Sequence, residues 1–196
     1  MTELTDVDEV ILLDADGNPT GTASKAAVHG PDTPLHLAFS CYVLNDEGEV
    51  LVTRRALTKR AWPGVWSNSF CGHPQPTEPL LAAVHRRADY ELGLTLTDVE
   101  LALAVFRYRA TDSAGVVENE VCPVYVASTR DRVSPHPGEV VDHAWVDPTD
   151  LGRSVRATPW AFSPWLVLQA QLLPLLGGAS AETDPAQPAS RQGALR

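Results

Sequence analysis

The sequence predicts a single α+β domain in which strands outnumber helices, and three observations carry that prediction. The chain has 196 residues, enough for one domain with a substantial core and too few for two comfortable ones. Short segments of alternating apolar and polar residues are separated by clusters of Gly, Pro, Asn and Asp, the pattern of strands and turns. Apolar residues recur at helical spacing in only a few places, the clearest after Thr77-Glu78-Pro79.

Taken in order, Glu9 to Leu13 reads as a strand, Asp14 to Pro19 as a turn and Thr20 to Ala23 as the returning strand. Leu35 to Leu44 alternates, Asn45 to Gly48 turns and Glu49 to Arg55 returns, which predicts a hairpin. Residues 56 to 76 hold Trp62, Pro63, Gly64, Trp66, Pro74 and Pro76 and read as ordered loop. A helix opens at Thr77-Glu78-Pro79, with a capping residue and a proline in the first turn. Leu80, Leu81, Val84, Ala88 and Leu92 form its apolar stripe until Gly93 ends it. Strands are expected at Leu101 to Arg109, Val116 to Ala127 and Val140 to Val146. Ser163-Pro164 opens a last helix, Trp165 to Leu173, broken near Pro174. The domain is therefore expected over residues 1–176. Residues 177–196, rich in Ala, Ser, Pro, Gln, Thr and Gly, are expected to form a disordered tail.

Charge and composition exclude several classes. A net charge of −10 sets the chain as a whole against nucleic acid and anionic membranes. No apolar run approaches the roughly 18 residues that a membrane span needs. The acidic start, Met1-Thr-Glu-Leu-Thr-Asp-Val-Asp-Glu, lacks the order of a signal peptide, so a cytoplasmic protein is expected. Three cysteines without an export signal argue against a disulfide framework and for at least one free thiol.

The densest chemistry lies in two runs, Ser67 to Pro74 and Val116 to Pro123. Glu118 and Glu120 sit two apart in a predicted strand, so both carboxylates share one face and can address one metal ion. His29 and His36 flank a Gly-Pro-Asp-Thr-Pro turn, and His73 follows Cys71 by two residues. Three imidazoles with two carboxylates suit zinc, manganese or a similar ion; a single histidine is more often satisfied by a backbone partner than by a metal, and it is the joint pattern that points to an ion. Cys41 and Cys122 read as buried structural thiols. Cys71, beside Gly72 and His73, reads as the reactive one, in a place where an imidazolium or a metal would depress its pKa. Arg54, Arg55, Lys59 and Arg60 lie close together in a chain whose only lysines are Lys25 and Lys59. A bias toward arginine explains scarce lysine, and four neighbouring cations also suit an anion such as a diphosphate.

From Gly72 to Leu94 the residues resemble the Nudix box. Gly72, Glu78, Arg86, Glu91 and Gly93 fit, but Arg87 and Tyr90 stand where that family carries glutamates. A box without those two acids cannot assemble the usual multi-metal hydrolytic site, and Glu91 alone remains to hold one Mg²⁺. Those departures combine with several longer blocks: Leu35 to Ser40, Lys59 to Trp66, Asn68 to Pro74, Phe106 to Ala110, Glu118 to Pro123 and Ala157 to Trp165. Together they look like the type I isopentenyl-diphosphate isomerase family, from about residue 9 to residue 170.

The resemblance implies a Nudix-like α/β/α sandwich with a mixed sheet. It implies isomerisation between isopentenyl and dimethylallyl diphosphates by protonation and deprotonation on opposite faces of the substrate. In this sequence the matching thiol is Cys71 and the matching carboxylate Glu120, with Tyr108 assisting proton delivery. A Zn²⁺ or Mn²⁺ site maps onto His29, His36, His73, Glu118 and Glu120, and a Mg²⁺ that bridges to the diphosphate maps onto Glu91 and the Cys71 carbonyl. Lys25, Arg55 and Lys59 would hold the diphosphate, with Arg87 nearby. Trp160 would stabilise a carbocation through its ring face, or else pack in the core beside Phe162 and Trp165. The partner implied is a small allylic or homoallylic diphosphate, handled by a monomer or weak homodimer. The rival readings are a Nudix diphosphate hydrolase and a catalytically silent, metal-stabilised binding module.

Overall fold

The computed structural model describes residues 8–178. In chain order the strands are β1 (Glu9–Leu13), β2 (Pro19–Ser24), β3 (His36–Leu37), β4 (Phe39–Leu44), β5 (Val50–Arg55), β6 (Trp66–Ser67), β7 (Phe70–Gly72), β8 (Thr97–Leu103), β9 (Arg107–Thr111), β10 (Val117–Val121), β11 (Val124–Ser128) and β12 (Val140–Val146). The helices are α1 (Lys25–Val28), α2 (Leu80–Leu92), α3 (Pro148–Ala157) and α4 (Pro164–Gln169), with 3₁₀ turns at Pro159–Ala161 and Pro174–Leu176. The smaller sheet runs β2-β1-β3-β10-β9 and the larger β12-β5-β4-β11-β8, with β6 on β5 and β7 on β4. Both are mixed: β3–β10 and β4–β11 are parallel and the other pairs antiparallel.

The larger sheet is the middle layer of a sandwich, and β4 shows why. Its side chains alternate, so Phe39, Cys41 and Val43 pack in one core with Ala83, Val84, Ala88 and Leu92 of α2. Tyr42 packs in the other core with Leu151 and Val155 of α3 and Leu166 of α4. Strand β5 divides in the same way, Leu51 toward the first core and Val50 and Val52 toward the second. This is the expected α/β/α arrangement.

Several boundaries differ from those the sequence predicts. The predicted hairpin of residues 35–55 closes through a single pair, Leu44 with Val50, and then splays. Strand β7 pairs with β4 and β6 with β5, so part of the predicted 56–76 loop is sheet. Buried polar side chains replace the ladder bonds that splaying removes. Ser69 Oγ accepts from the Val43 N–H at 2.8 Å and donates to the Leu51 carbonyl at 2.7 Å, and Asn68 Nδ2 donates to the Cys41 carbonyl at 3.0 Å.

The predicted strand Val116 to Ala127 is two strands in different sheets. It breaks at Cys122-Pro123, where proline has no N–H to donate. The 36–44 segment divides beside it at Ala38, and the 101–109 segment divides into β8 and β9. The Ala38 N–H donates to the Val121 carbonyl at 2.9 Å and the Ser40 N–H to the Pro123 carbonyl at 3.0 Å, so two neighbouring segments leave one sheet for the other side by side. The sheets part at that point.

Helix α3 was not predicted, because its apolar stripe is only Leu151 and Val155. It carries its own start signal in Asp147, whose side chain accepts from the Thr149 and Asp150 N–H groups, followed by Pro148. Helix α2 begins at Leu80 without the predicted side-chain cap. It ends as predicted at Gly93, which takes φ 64° and donates its N–H to Asp89. Helix α4 stops at Gln169 instead of Leu173. The predicted tail lies outside the described residues from 179 onward. Among the described residues no helix is long and apolar enough to cross a membrane.

Candidate active site

A cavity of about 370 Å³ opens where the sheets part, a size suited to a small molecule. Tyr108, Glu118 and Glu120 line it from the smaller sheet, Cys71 and Gly72 from β7 of the larger. The register sets the first wall: Glu120 on β10 sits between His36 on β3 and Tyr108 on β9, and Glu118 follows at a period of two. His29 sits at the end of α1 and His73 just after β7, which brings both rings to the same place.

The predicted metal ligands converge. His29, His36, His73 and Glu120 offer one ligand atom each, all within 4.8 Å of one another. Glu118 joins through Oε2, 3.0 Å from His29 Nε2. Four buried atoms here have no hydrogen-bond partner: His29 Nε2, His36 Nε2, His73 Nδ1 and Glu118 Oε2. Orphaned nitrogens and a carboxylate oxygen facing one another are the donor set of a divalent ion, so the residues fit one. Burial pushes His73 down to about 4, which keeps its ring neutral as a ligand requires. Burial would raise Glu120, but the His36 and His73 rings that face its Oε1, at 3.5 and 3.3 Å, outweigh it and hold its carboxyl well below the usual range. Glu118 moves the other way, raised by burial and by the charge of Glu120. Tyr108 OH donates to Glu120 Oε2 at 2.8 Å and fixes that carboxylate.

The opposite wall is neutral. Cys71 Sγ donates to Asn68 Oδ1 at 3.3 Å and lies 3.4 Å from Ser40 Oγ. Ser40 in turn accepts from Gln169 Nε2, and Gln169 Oε1 accepts from Tyr42 OH. The amide of Asn68 has one possible orientation, because its Nδ2 bonds two carbonyls while its Oδ1 takes Ser67 Oγ and Trp165 Nε1. Burial pushes the Cys71 thiol up to about 12, which corrects the expectation of a depressed pKa: it stays protonated at neutral pH. Cys41 and Cys122 are buried, as expected.

Of the predicted substrate-holding residues, Lys25, Arg55, Lys59 and Arg87 line the cavity and Trp160 does not. Trp160 is 83% exposed on the 3₁₀ turn, outside both core and cavity, which corrects both readings made for it. The aromatic at the cavity is Trp165, read from sequence as core. Its Nε1 bonds Ser67 and Asn68, and the Arg55 guanidinium lies 5.2 Å from its ring centroid. The cue was available: Ser163 caps α4 and places Trp165 in its first, inward turn. Glu91 is buried and lies with Lys59, Glu139 and Cys71 around a small separate void of about 20 Å³. Its Oε1 lies 2.5 Å from Arg87 Nη2. The backbone must come this close at Gly72, where an added Cβ would lie 2.8 Å from Arg87 Cγ and 2.9 Å from the Phe39 ring.

Residues 34–167 match the family model of the NUDIX domain. An isopentenyl-diphosphate Delta-isomerase from Agromyces mediolanus is 68% identical over 86% of this chain and 82% of its own length. One from Clavibacter sepedonicus is 64% identical over 84% of this chain and 86% of its own. Among solved structures, DR0079 from Deinococcus radiodurans shares the fold, with a TM-score of 0.64 at 17% identity over 82% of this chain and 96% of that one.

Proposed function

Since this chain belongs to the isopentenyl-diphosphate Delta-isomerase family of NUDIX-domain proteins, we propose that it interconverts isopentenyl and dimethylallyl diphosphates in isoprenoid biosynthesis, with Cys71 and Glu120 as its proton-handling pair. The observation that supports this most is the opposed state of those two groups on facing walls of one cavity, a thiol kept protonated and a carboxylate kept ionised. Cys71 gives its proton to the terminal alkene carbon, which leaves a tertiary cation on the neighbouring carbon. Glu120 removes a proton from the carbon beyond, and that C–H bond's electrons form the new double bond. Tyr108 holds Glu120 in line for the transfer.

The cation must not meet water or another nucleophile. Trp165, oriented by its bonds to Ser67 and Asn68, supplies a ring that stabilises it by on the order of 2 kcal/mol in a dry site. His29, His36, His73, Glu118 and Glu120 would hold a Mn²⁺ or Zn²⁺, which when bound supplies a fixed positive charge beside Glu120. Glu91 and the Cys71 carbonyl would hold Mg²⁺ with the diphosphate, and Lys25, Arg55, Lys59 and Arg87 would grip the rest of that group. The chain works in the cytoplasm as a monomer or weak homodimer on this small substrate.

Hydrolysis is disfavoured at a specific place. Arg87 stands where a metal-binding glutamate would be, and it is buried and paired with Glu91. Incubation with isopentenyl diphosphate, Mg²⁺ and a trace of Mn²⁺ or Zn²⁺ in deuterated water should yield the dimethylallyl isomer carrying deuterium. Phosphate release from nucleoside diphosphate derivatives without such exchange would assign the chain to the hydrolases instead.

A further inference from the structure

The chain's two lysines line this cavity and both end on a carboxylate, Asp8 on the cavity wall and Glu139 in the small void behind Lys59. Lys25 Nζ lies 2.8 Å from Asp8 Oδ2, and Lys59 Nζ bonds Glu139. Glu139 also meets Arg87, whose Nη2 lies 3.3 Å from its Oε1. The backbone holds Glu139 in place, since its carbonyl accepts from the Ala56 N–H at 2.9 Å on the segment that carries Lys59. Burial alone would raise both acids, and the lysines hold both below the usual carboxylate range.

Five cationic side chains line the cavity, namely Lys25, Arg55, Lys59, Arg60 and Arg87. Lys25, Lys59 and Arg87 are matched by Asp8, Glu139 and Glu91. Arg55 and Arg60 bond only backbone carbonyls, of Ala61 and Trp62 and of Ala26, and have no carboxylate in ion-pair range among the described residues. A free diphosphate ester carries about three negative charges at neutral pH. Bound Mg²⁺ removes two of them, leaving a species that two unmatched guanidiniums suffice to hold.

We infer that Asp8 and Glu139 are stand-in anions: they hold Lys25 and Lys59 in position before substrate arrives, and they make the cavity select a magnesium-loaded diphosphate over a free one. The inference rests on the proposed grip of the two lysines on the diphosphate. A free diphosphate has to displace both carboxylates and then sit beside them, like charge against like charge. The loaded one brings its own counter-ion.

Calorimetric titration of inorganic pyrophosphate, with and without Mg²⁺, into the native chain, Glu139→Gln and Asp8→Asn tests this. The native chain should bind the magnesium-loaded form at least about tenfold tighter than the free form. Glu139→Gln should bind free pyrophosphate roughly tenfold tighter than the native chain does, with less than about a threefold change for the loaded form, so the preference collapses. Asp8→Asn should act in the same direction by about threefold, since the Asp8 side chain is 44% exposed and better screened. Free pyrophosphate bound no tighter by either variant overturns the inference while leaving the diphosphate site standing. No binding by the native chain in either condition removes the site and the inference together. Should Glu139→Gln fail to fold, Asp8→Asn decides alone.

Discussion

Cys71 on β7 and Glu120 on β10 face one cavity from two different sheets, and burial pushes both toward their protonated forms, yet only the thiol yields to it. The neighbours decide the difference. Around Cys71 stand Ser40 and Asn68, neutral dipoles too weak to offset desolvation. Around Glu120 stand two imidazoles and the Tyr108 hydroxyl, all directed at its two oxygens. Depth alone therefore does not set the charge of a group, and a site can keep a proton on one wall and off the other by the number and direction of the polar groups aimed at each.

Glu120→Gln should break the charged wall completely. It removes the proton acceptor and a metal ligand at once, so turnover should fall by on the order of 10⁴-fold and bound metal, counted by elemental analysis, should drop with it. Cys71→Ala should break the neutral wall alone: turnover falls by on the order of 10³-fold while metal content and melting temperature stay at native values. Loss of metal in Cys71→Ala would mean that the two walls are not separate. His36→Ala sharpens the same contrast, with metal affinity down about 10- to 100-fold, whereas His143→Ala on β12 should leave it unchanged.

The pH profile reads the two walls separately. Because Cys71 is pushed up to about 12, its proton stays in place as pH rises, and the rate at saturating metal should change less than about threefold between pH 7 and 9. A tenfold fall near pH 8.5, the ordinary thiol range, would contradict the neutral wall. Burial pulls His36 down, but Glu120, the Pro34 carbonyl and Glu118 together outweigh it, so without metal it carries a proton at and below its ordinary pKa. That proton competes with the ion, and metal affinity should fall as pH drops below about 7. The smallest effect belongs to Trp160→Ala, which touches neither wall: melting temperature should move by no more than about 2 °C and turnover should not move.

The metal wall was readable because it obeys local rules. The period of two in Glu118-Asn119-Glu120 survives folding intact, and the three histidines are rare enough in type to be noticed. The neutral wall was less readable. Ser40, Asn68 and Gln169 are common polar residues whose roles depend on partners far along the chain, and Asn68 serves strand splaying as much as the thiol. Trp160 and Trp165 share one short aromatic block, and only the cap at Ser163 decides which of them turns inward. The divided strands were missed for a related reason: alternation continues unbroken while the chain changes sheets, so periodicity cannot register a change of partner. In sequence Arg87 reads as a lost metal ligand near the diphosphate, and no local pattern points to Glu139, far along the chain, which answers its charge.

The parallel pairings of β3 with β10 and of β4 with β11 carry a consequence for assembly of the protein in time. His36 and Glu120 meet only through that long-range register, so neither local hairpins nor helix α2 can build the metal centre on their own. Closing so long a loop carries an entropic cost that must be met before its contacts reward it, which places the step late in folding. During synthesis the first half of the chain emerges with His29, His36 and His73 but without Glu118 or Glu120 to set beside them. The complete centre cannot form until β10, through Val121, has left the ribosome, so its carboxylates join the histidines last.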